Sequence, residues 1–408
     1  MSGLAKVHVV FFCRLHAGMS GPLNHSLDFV RAVRHHPDVG RITVLGNNPL
    51  LLKLTELADV EVVVREDAPL FPHSAFVLRQ LGDARDLLAR RAPGEPTLFY
   101  FRYTTMLLAP LLMRLAGARD ICVEVNGLPN QALLDRRPGE RVQRAKERIY
   151  KVYDEMLFRR VDRIFTTCEN FRQNLVGRYR DARPIDVIPN GCFPEERAAG
   201  DDPRGARVAL GLDPDGRYAI YVGHLRHYEG VEFLVRAFVA FAEDPAHENA
   251  SLLVLGDGPL RRDLELAVPP GLADRVRFLG FLDRALMWRH LAAADVAVFT
   301  PPRAEYGVEG QRGGSHLKTV DYLQAGRPVL VPAAPYYDFV ERFGLGLRYE
   351  PEDAGSFAEK LGILLDDAAL RDAAGARARD YCREHLDWMV TLRPVFSVVE
   401  RLAAGSAP

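Results

Sequence analysis

The chain has little with which to staple itself, cross a membrane or wrap nucleic acid. It has only five cysteines in 408 residues. Cys13, Cys122, Cys168, Cys192 and Cys382 are scattered, with no pair at metal or redox spacing, which excludes a disulfide framework and points to a reducing cytoplasm where thiols serve packing. No stretch reaches the roughly 18 uninterrupted apolar residues of a membrane span. The opening MSGLAKVHVVFFCRLHAG holds an apolar run shorter than a signal core and bounded by charge, so it reads as a first buried strand. A net charge of -1 supplies no global field for nucleic acid, and any anion must be recognised locally. The glycine spacing after the first strand is not Gly-x-Gly-x-x-Gly, which weakens dinucleotide binding.

What is present is alternation. Short apolar runs, VHVVFF, RITVLG, VEVVV, TLFYFR, ICVEV, DRIFTT and IDVIPN, recur through the first half with helical patterns between them. The segment GCFPEERAAGDDPRGARVALGLDPDG, rich in Gly, Pro and charge, reads as a linker. The alternation restarts with YAIYVG, ASLLVLG, RVRFLG, DVAVFT, RPVLVP and LGLRYE. This predicts an α/β protein of two tandem Rossmann-like doubly wound domains facing a cleft: residues 1–195, with a final helix from about 385 to 408 crossing back onto them, and residues 210–384. Ligands of such sheets sit beyond the carboxyl ends of the strands, so residues there are the candidates.

After the first strand, HAGMSGPLNHSLDF opens a helix, and Gly18 and Gly21 either let backbone approach a phosphate or form a plain flexible turn. His25 on that helix reads as packing. In GGSHLKTVDYLQAGRPVLV, Leu317, Val320 and Leu323 recur at helical spacing, Gly326 stands at a left-handed cap and Pro328 forbids continuation. Lys318 and Asp321 share a face of this short helix. Glycines ahead of it leave N–H groups bare at the positive end of the dipole, an anion site with a carboxylate one turn deeper. The plainer alternative is a capped helix with a surface Lys318–Asp321 pair.

Five ordered segments, IYVGHLRHYEGVEFLVRAF, LGDGPLRRDLE, VRFLGFL, AAADVAVFTP and KTVDYLQAGRPVLV, together resemble the carboxyl-terminal half of glycosyltransferase family 4, retaining enzymes of the GT-B fold. The first half is similar more loosely, through AGMSGPLNHSLDFVRAV, FYFRYTT, VEVNGLP, VDRIFTTCENFRQNL and VIPNG. The resemblance implies transfer of a sugar from a nucleotide-diphosphate donor to an acceptor with retention of configuration. It assigns Gly314, Ser315, His316 and Leu317 to the diphosphate loop and Asp321 to the ribose hydroxyls, for which an acceptor-only carboxylate is suited. Lys318 matches relatives with a lysine before the acid, where it meets phosphate. Gly258 would allow close backbone approach, and the backbone of Phe281 and Leu282 resembles a nucleobase-reading turn, whereas Arg261 reads as an exposed helix residue.

The departures are specific. Relatives often carry an acid eight positions before the one matched by Asp321; here that position is Gly313, and Glu305 and Glu309 lie upstream, with Glu309 favoured as the replacement. Relatives commonly have two cations in the loop GHLRHYEG, where this chain has His224 and Glu229. Arg226 is the expected substitute, with Lys318. Asn126 stands where relatives often have histidine, and an amide is no general base, so it orients a hydroxyl or the sugar. No cofactor and no metal are expected, because the loop amides, helix dipole, Arg226 and Lys318 replace a cation and no Asp-x-Asp follows a strand. The alternatives are a non-catalytic sugar-nucleotide-binding protein of the same fold, an epimerase that consumes donor without acceptor, and an enzyme directed at lipid or polysaccharide of the cell envelope. The basic-leaning stretch LLDRRPGERVQRAKERIYKVYDEMLFRR could rest on an anionic membrane; a solvated helix face is the preferred reading. The acceptor is unassigned, with a small molecule of specialised metabolism one choice.

Overall fold

The computed structural model describes residues 5–14, 20–65, 73–104, 107–127, 140–179, 182–196, 202–302 and 317–405. It divides into two compact units, one of residues 1–190 with 388–408 and the other of residues 191–387.

In the first unit, seven strands form one sheet: β1 (Val7–Cys13), β2 (Val39–Gly46), β3 (Val60–Val64), β4 (Thr97–Arg102), β5 (Ile121–Val125), β6 (Arg163–Thr166) and β7 (Ile185–Val187). Their order is β3-β2-β1-β4-β5-β6-β7, all pairs parallel. Every residue of β1 and of β5 is buried, as expected of strands covered by helices on both faces. Strand order reverses between β1 and β4, which register with Phe11 opposite Tyr100. That reversal is a switch point, beyond whose carboxyl edge such sheets bind ligands. Helix α1 (Ser20–Arg34) follows β1. Its Phe29 stacks on Phe11 at 5.1 Å and meets Tyr100 at 4.5 Å between ring centroids.

The second sheet has six strands: β8 (Arg217–Val222), β9 (Ala250–Leu255), β10 (Val276–Gly280), β11 (Val296–Val298), β12 (Val329–Pro332) and β13 (Gly346–Tyr349). The order β10-β9-β8-β11-β12-β13, again all parallel, puts its switch point between β8 and β11. Helix α2 (Val231–Ala242) buries Leu234, Ala237, Phe238 and Phe241 at helical spacing. Phe233, beside them on the helix, is only partly buried and stacks on Tyr349. Helix α3 (Leu317–Gln324) ends as the sequence predicts, with Gly326 at φ 66°. The strands read from the sequence are all found, because a buried parallel strand is written as an unbroken apolar run.

The linker reading needs correction. Asp202-Pro203 starts a helix over Pro203–Ala209, the Asp202 side chain accepting from Gly205 N at 3.0 Å and proline occupying the first turn, where no donor is required. Its Arg207 is buried and paired with Asp295 at 2.8 Å. The segment therefore packs within the second unit. The last helix, α4 (Arg393–Ala403), carries Pro394 in its first turn and buries Val395, Phe396, Val398, Val399 and Leu402 within the first unit. Arg401 closes it with an ion pair to Asp120 at 2.7 Å.

Candidate functional site

In the second unit the loops leaving β8, β9 and β11 are in backbone contact. The chain after β8 runs through Arg226, extended at φ -136° and ψ 155°, into a single turn over His227–Glu229 and then Gly230 at φ 70°. A Cβ on Gly230 would lie 1.6 Å from the carbonyl oxygen of Thr300, beyond β11, so only glycine lets these two segments touch. Thr300 Oγ1 donates back to the Gly230 carbonyl at 3.1 Å. Gly258 does similar work after β9: its Cβ would stand 2.4 Å from the Leu225 carbonyl. The close approach expected of Gly258 is thus made to the chain's own β8 loop.

That packing turns Glu229 toward helix α3. Lys318, in the first turn of α3, donates to the Glu229 carboxylate and lies 3.4 Å from the Tyr221 hydroxyl. Its ammonium sits 4.9 Å from the Tyr221 ring centroid and 4.5 Å from that of Phe299, within cation–π range of both. The two charged side chains are only 13% and 14% exposed. Burial depresses the pKa of Lys318, and Glu229 opposes that shift. The surface Lys318–Asp321 pair of the plainer reading is not formed: Lys318 turns inward to a carboxylate and two aromatic faces. Tyr322 anchors the same helix, its hydroxyl accepting from Val222 N at 2.8 Å. Asp321 is half-buried one turn beyond Lys318.

Other candidates lie along the same carboxyl edge. Arg226 is exposed and makes no ion pair among the described residues. Phe281 follows β10 and is 73% exposed, whereas Leu282 packs on the core. Arg261 pairs with Asp257 at 3.2 Å and Glu265 at 2.8 Å and donates to the Phe278 carbonyl at 3.2 Å, a helix-surface role. Gly18, Glu305, Glu309, Gly314, Ser315 and His316 lie outside the described residues. Among the described residues no three His, Cys, Asp or Glu side chains are grouped so as to hold a metal ion.

In the first unit, Gly21 lies in the opening turn of α1 and Asn126 directly follows β5. Asn126 Nδ2 donates to Glu124 Oε1. Glu124 is wholly buried, and His25 Nε2 approaches the same oxygen at 2.7 Å while the Tyr100 hydroxyl donates to Oε2 at 2.7 Å. Burial by itself raises the Glu124 pKa, but the charge and hydrogen bond of His25, the nearby Arg102 and the Tyr100 bond outweigh it and hold it at about 2. His25 is indeed buried, against Phe29 and the edge of Trp388, yet its partner is a carboxylate. Sequence reasoning passed over Glu124. The available signal was an acid inside ICVEV, a strand with both faces covered, where a lone carboxylate is not tolerated without donors.

Two tandem doubly wound parallel sheets of this connectivity define the GT-B class of protein. The sucrose-phosphate synthase of Thermosynechococcus elongatus superposes with a TM-score of 0.72 at 19% identity, over 98% of this chain and all of that one. Anabaena HepE, solved with UDP-glucose, superposes at 0.70 with 16% identity over 98% of each chain. The family model described as a glycosyl transferase 4-like domain matches residues 5–191, and that described as glycosyl transferases group 1 matches residues 216–367. The chain belongs to this group 1, family 4 of glycosyltransferases. Among curated relatives, a 2-deoxystreptamine glucosyltransferase from Streptomyces kanamyceticus is 30% identical over 237 residues, 57% of this chain and 58% of that one. A D-inositol 3-phosphate glycosyltransferase from Nocardia farcinica is 28% identical over 329 residues, 77% and 67% of the two chains. The chain thus spans between half and two-thirds of the length of these relatives.

Proposed function

We propose that the protein transfers a sugar from a nucleotide-diphosphate donor, held by the second unit, to a small polyhydroxylated or amino ring acceptor met by the first, with retention of configuration and without a metal. The observation that carries the donor half is the buried Lys318 at the start of α3, one turn ahead of Asp321 on the carboxyl edge of the sheet. Asp321 takes the ribose hydroxyls as an acceptor-only carboxylate. Lys318 and Arg226 meet the diphosphate, whose charge grows as the sugar departs, and the N-terminal N–H groups of α3 assist through the helix dipole. The leaving phosphate then takes the acceptor proton on the face it vacates, and the protein contributes alignment and charge stabilisation. The acceptor class rests on relatives named for a deoxystreptamine and an inositol phosphate.

A second reading, donor binding without transfer, draws on one observation: Glu229 already neutralises Lys318. Calorimetric titration of UDP, GDP, ADP and TDP in the presence of chelator separates the cases. Metal-free binding of one nucleotide, weakened by about 1–3 kcal/mol in Asp321→Ala, is the expected result; binding of none refutes the donor site. Turnover that requires Mg²⁺ would refute the metal-free mechanism. Retained binding with no product from UDP-glucose and either 2-deoxystreptamine or D-inositol 3-phosphate would favour the second reading.

A further inference from the structure

We infer that Glu124, seated by His25 and Tyr100, locks the Asn126 amide with Nδ2 on the carboxylate, so that Oδ1 is the end left to accept a hydrogen bond from a hydroxyl or ammonium group of the acceptor. The use made of that oxygen rests on the transferase reading; the lock itself does not.

An asparagine side chain has two ends of nearly equal shape and opposite hydrogen-bonding sense. Which end faces the substrate decides what is recognised, and the neighbour on the inner side fixes the choice. Here the neighbour is a carboxylate. Glu124 accepts from Asn126 Nδ2 at Oε1 and from the Tyr100 hydroxyl at Oε2, and His25 Nε2 lies 2.7 Å from Oε1. Such a carboxylate stays ionised at any ordinary pH, and its pKa is held at about 2. It therefore only accepts. The opposite amide rotamer would set Oδ1 of Asn126 against a charged oxygen, with repulsion replacing a charge-assisted bond.

The lock is built from several elements. Tyr100 and Arg102 come from β4, Glu124 from β5 and His25 from α1. Arg102 Nη1 donates to Pro22 O at 3.2 Å and Ser26 Oγ at 3.3 Å, tying α1 to β4. The His25 ring is held by Trp388 at 5.5 Å and Phe29 at 6.4 Å between centroids. Glu124 is wholly buried and His25 is 2% exposed, so neither touches solvent and both act through Asn126. They are positioning residues.

The other end of the amide is left in need. Asn126 Oδ1 is buried and has no hydrogen-bond partner among the described residues. A buried carbonyl without a donor is costly, and a ligand hydroxyl or ammonium relieves that cost. A ligand atom that only accepts, such as an ether or a phosphate oxygen, meets lone pairs at that oxygen and gains no bond there. Sites of this kind discriminate sharply against analogues that lack the hydrogen.

The test has two arms on the full chain. With ¹⁵N supplied only in asparagine, the Asn126 side-chain NH₂, assigned by its loss in Asn126→Ala, is expected to exchange with water far more slowly than that of an exposed asparagine. In Glu124→Gln that protection should fall. An Asn126 NH₂ that exchanges freely in the wild type overturns the inference whatever the activity. In the second arm, UDP-glucose is the donor, with 2-deoxystreptamine and D-inositol 3-phosphate as probe acceptors. Asn126→Ala and Glu124→Gln should each lower kcat/KM for the acceptor by about tenfold or more, with UDP affinity unchanged. Adding Asn126→Asp to Glu124→Gln reverses which side supplies the N–H yet keeps an oxygen facing the substrate, and should recover most of the loss. A merely structural network would show no such recovery. Full acceptor turnover in Asn126→Ala, or no recovery in a folded double variant, overturns the inference. A wild type that transfers no sugar to these acceptors but keeps the protected amide favours donor binding without transfer and leaves the lock standing.

Discussion

Lys318 and Glu229 form a buried pair whose two roles, holding the loop and meeting phosphate, are separable by experiment. Consider Lys318→Met. The variant keeps the apolar stem between Tyr221 and Phe299 but leaves Glu229, 14% exposed, without its partner. Breaking a buried pair from one side typically costs about 3–5 kcal/mol, because the remaining charge is desolvated and uncompensated. Two aromatic faces at 4.9 and 4.5 Å add cation–π attraction of about 1 kcal/mol each to what is lost. Glu229→Met should be comparably damaging, since burial already depresses the Lys318 pKa and only Glu229 opposes it. That variant should therefore release the Lys318 proton at a lower pH than the wild type does. The double variant Lys318→Met with Glu229→Met removes both charges and should recover stability to within about 1–2 kcal/mol of wild type, as apolar replacement of buried pairs generally does. Urea unfolding of all four proteins closes the cycle: single losses of about 3–5 kcal/mol each against about 1–2 kcal/mol for the double variant imply a coupling of at least about 4 kcal/mol. Nucleotide titration then separates the roles: the double variant is stable and lacks the cation, so UDP affinity should fall about tenfold or more for a lost charge-assisted contact. Undiminished UDP binding by the double variant would refute the phosphate role of Lys318. Additive single-variant losses would refute the pair.

Other expectations are as direct. His8 is fully buried with its pKa pressed down to about 4, first by burial and then by Arg41. The native state therefore binds fewer protons there than the unfolded chain between pH 6.5 and about 4. Stability from this group is complete above pH 6.5 and declines on acidification to about pH 4, by roughly 3 kcal/mol in total. His8→Gln, which can keep the 2.9 Å bond to Thr43 Oγ1, should flatten that part of the pH profile in denaturant melts, and an unchanged slope would contradict the assignment. Gly230→Ala should cost more than about 2 kcal/mol, combining a left-handed backbone with a Cβ 1.6 Å from Thr300 O. A melting temperature equal to wild type would show that the β8 loop does not sit against β11. Arg401→Ala removes the 2.7 Å pair to Asp120 that fastens the end of α4. Because Arg401 is 28% and Asp120 13% exposed, the loss should be about 1 kcal/mol, read from the urea midpoint.

The strands were legible because each is a local fact: VHVVFF or ASLLVL is apolar throughout only if both faces are covered, and that pattern needs no knowledge of neighbours. Helix α3 was legible for a similar reason, its end written in Gly326 and Pro328. The family was legible from ordered segments that follow strands. The helix inside the presumed linker was misjudged because Gly, Pro and charge were weighed as composition, whereas Asp202 and Pro203 act as a cap and a first turn.

Chain order alone determined that two parallel sheets form and that candidate residues sit after their strands, since periodicity and turn chemistry are properties of adjacent residues. Only the tertiary structure decided the partners. Glu229 and Lys318 are 89 positions apart, and the first became the counter-ion of the second because Gly230 lets one loop rest on Thr300. Likewise Glu124, Tyr100 and His25 belong to a strand, its neighbour and a helix, brought together by parallel pairing and by α1 lying across β1 and β4. A charge in a sequence shows its sign; what it holds depends on the carboxylate, hydroxyl or ring that packing places within a few ångströms of it.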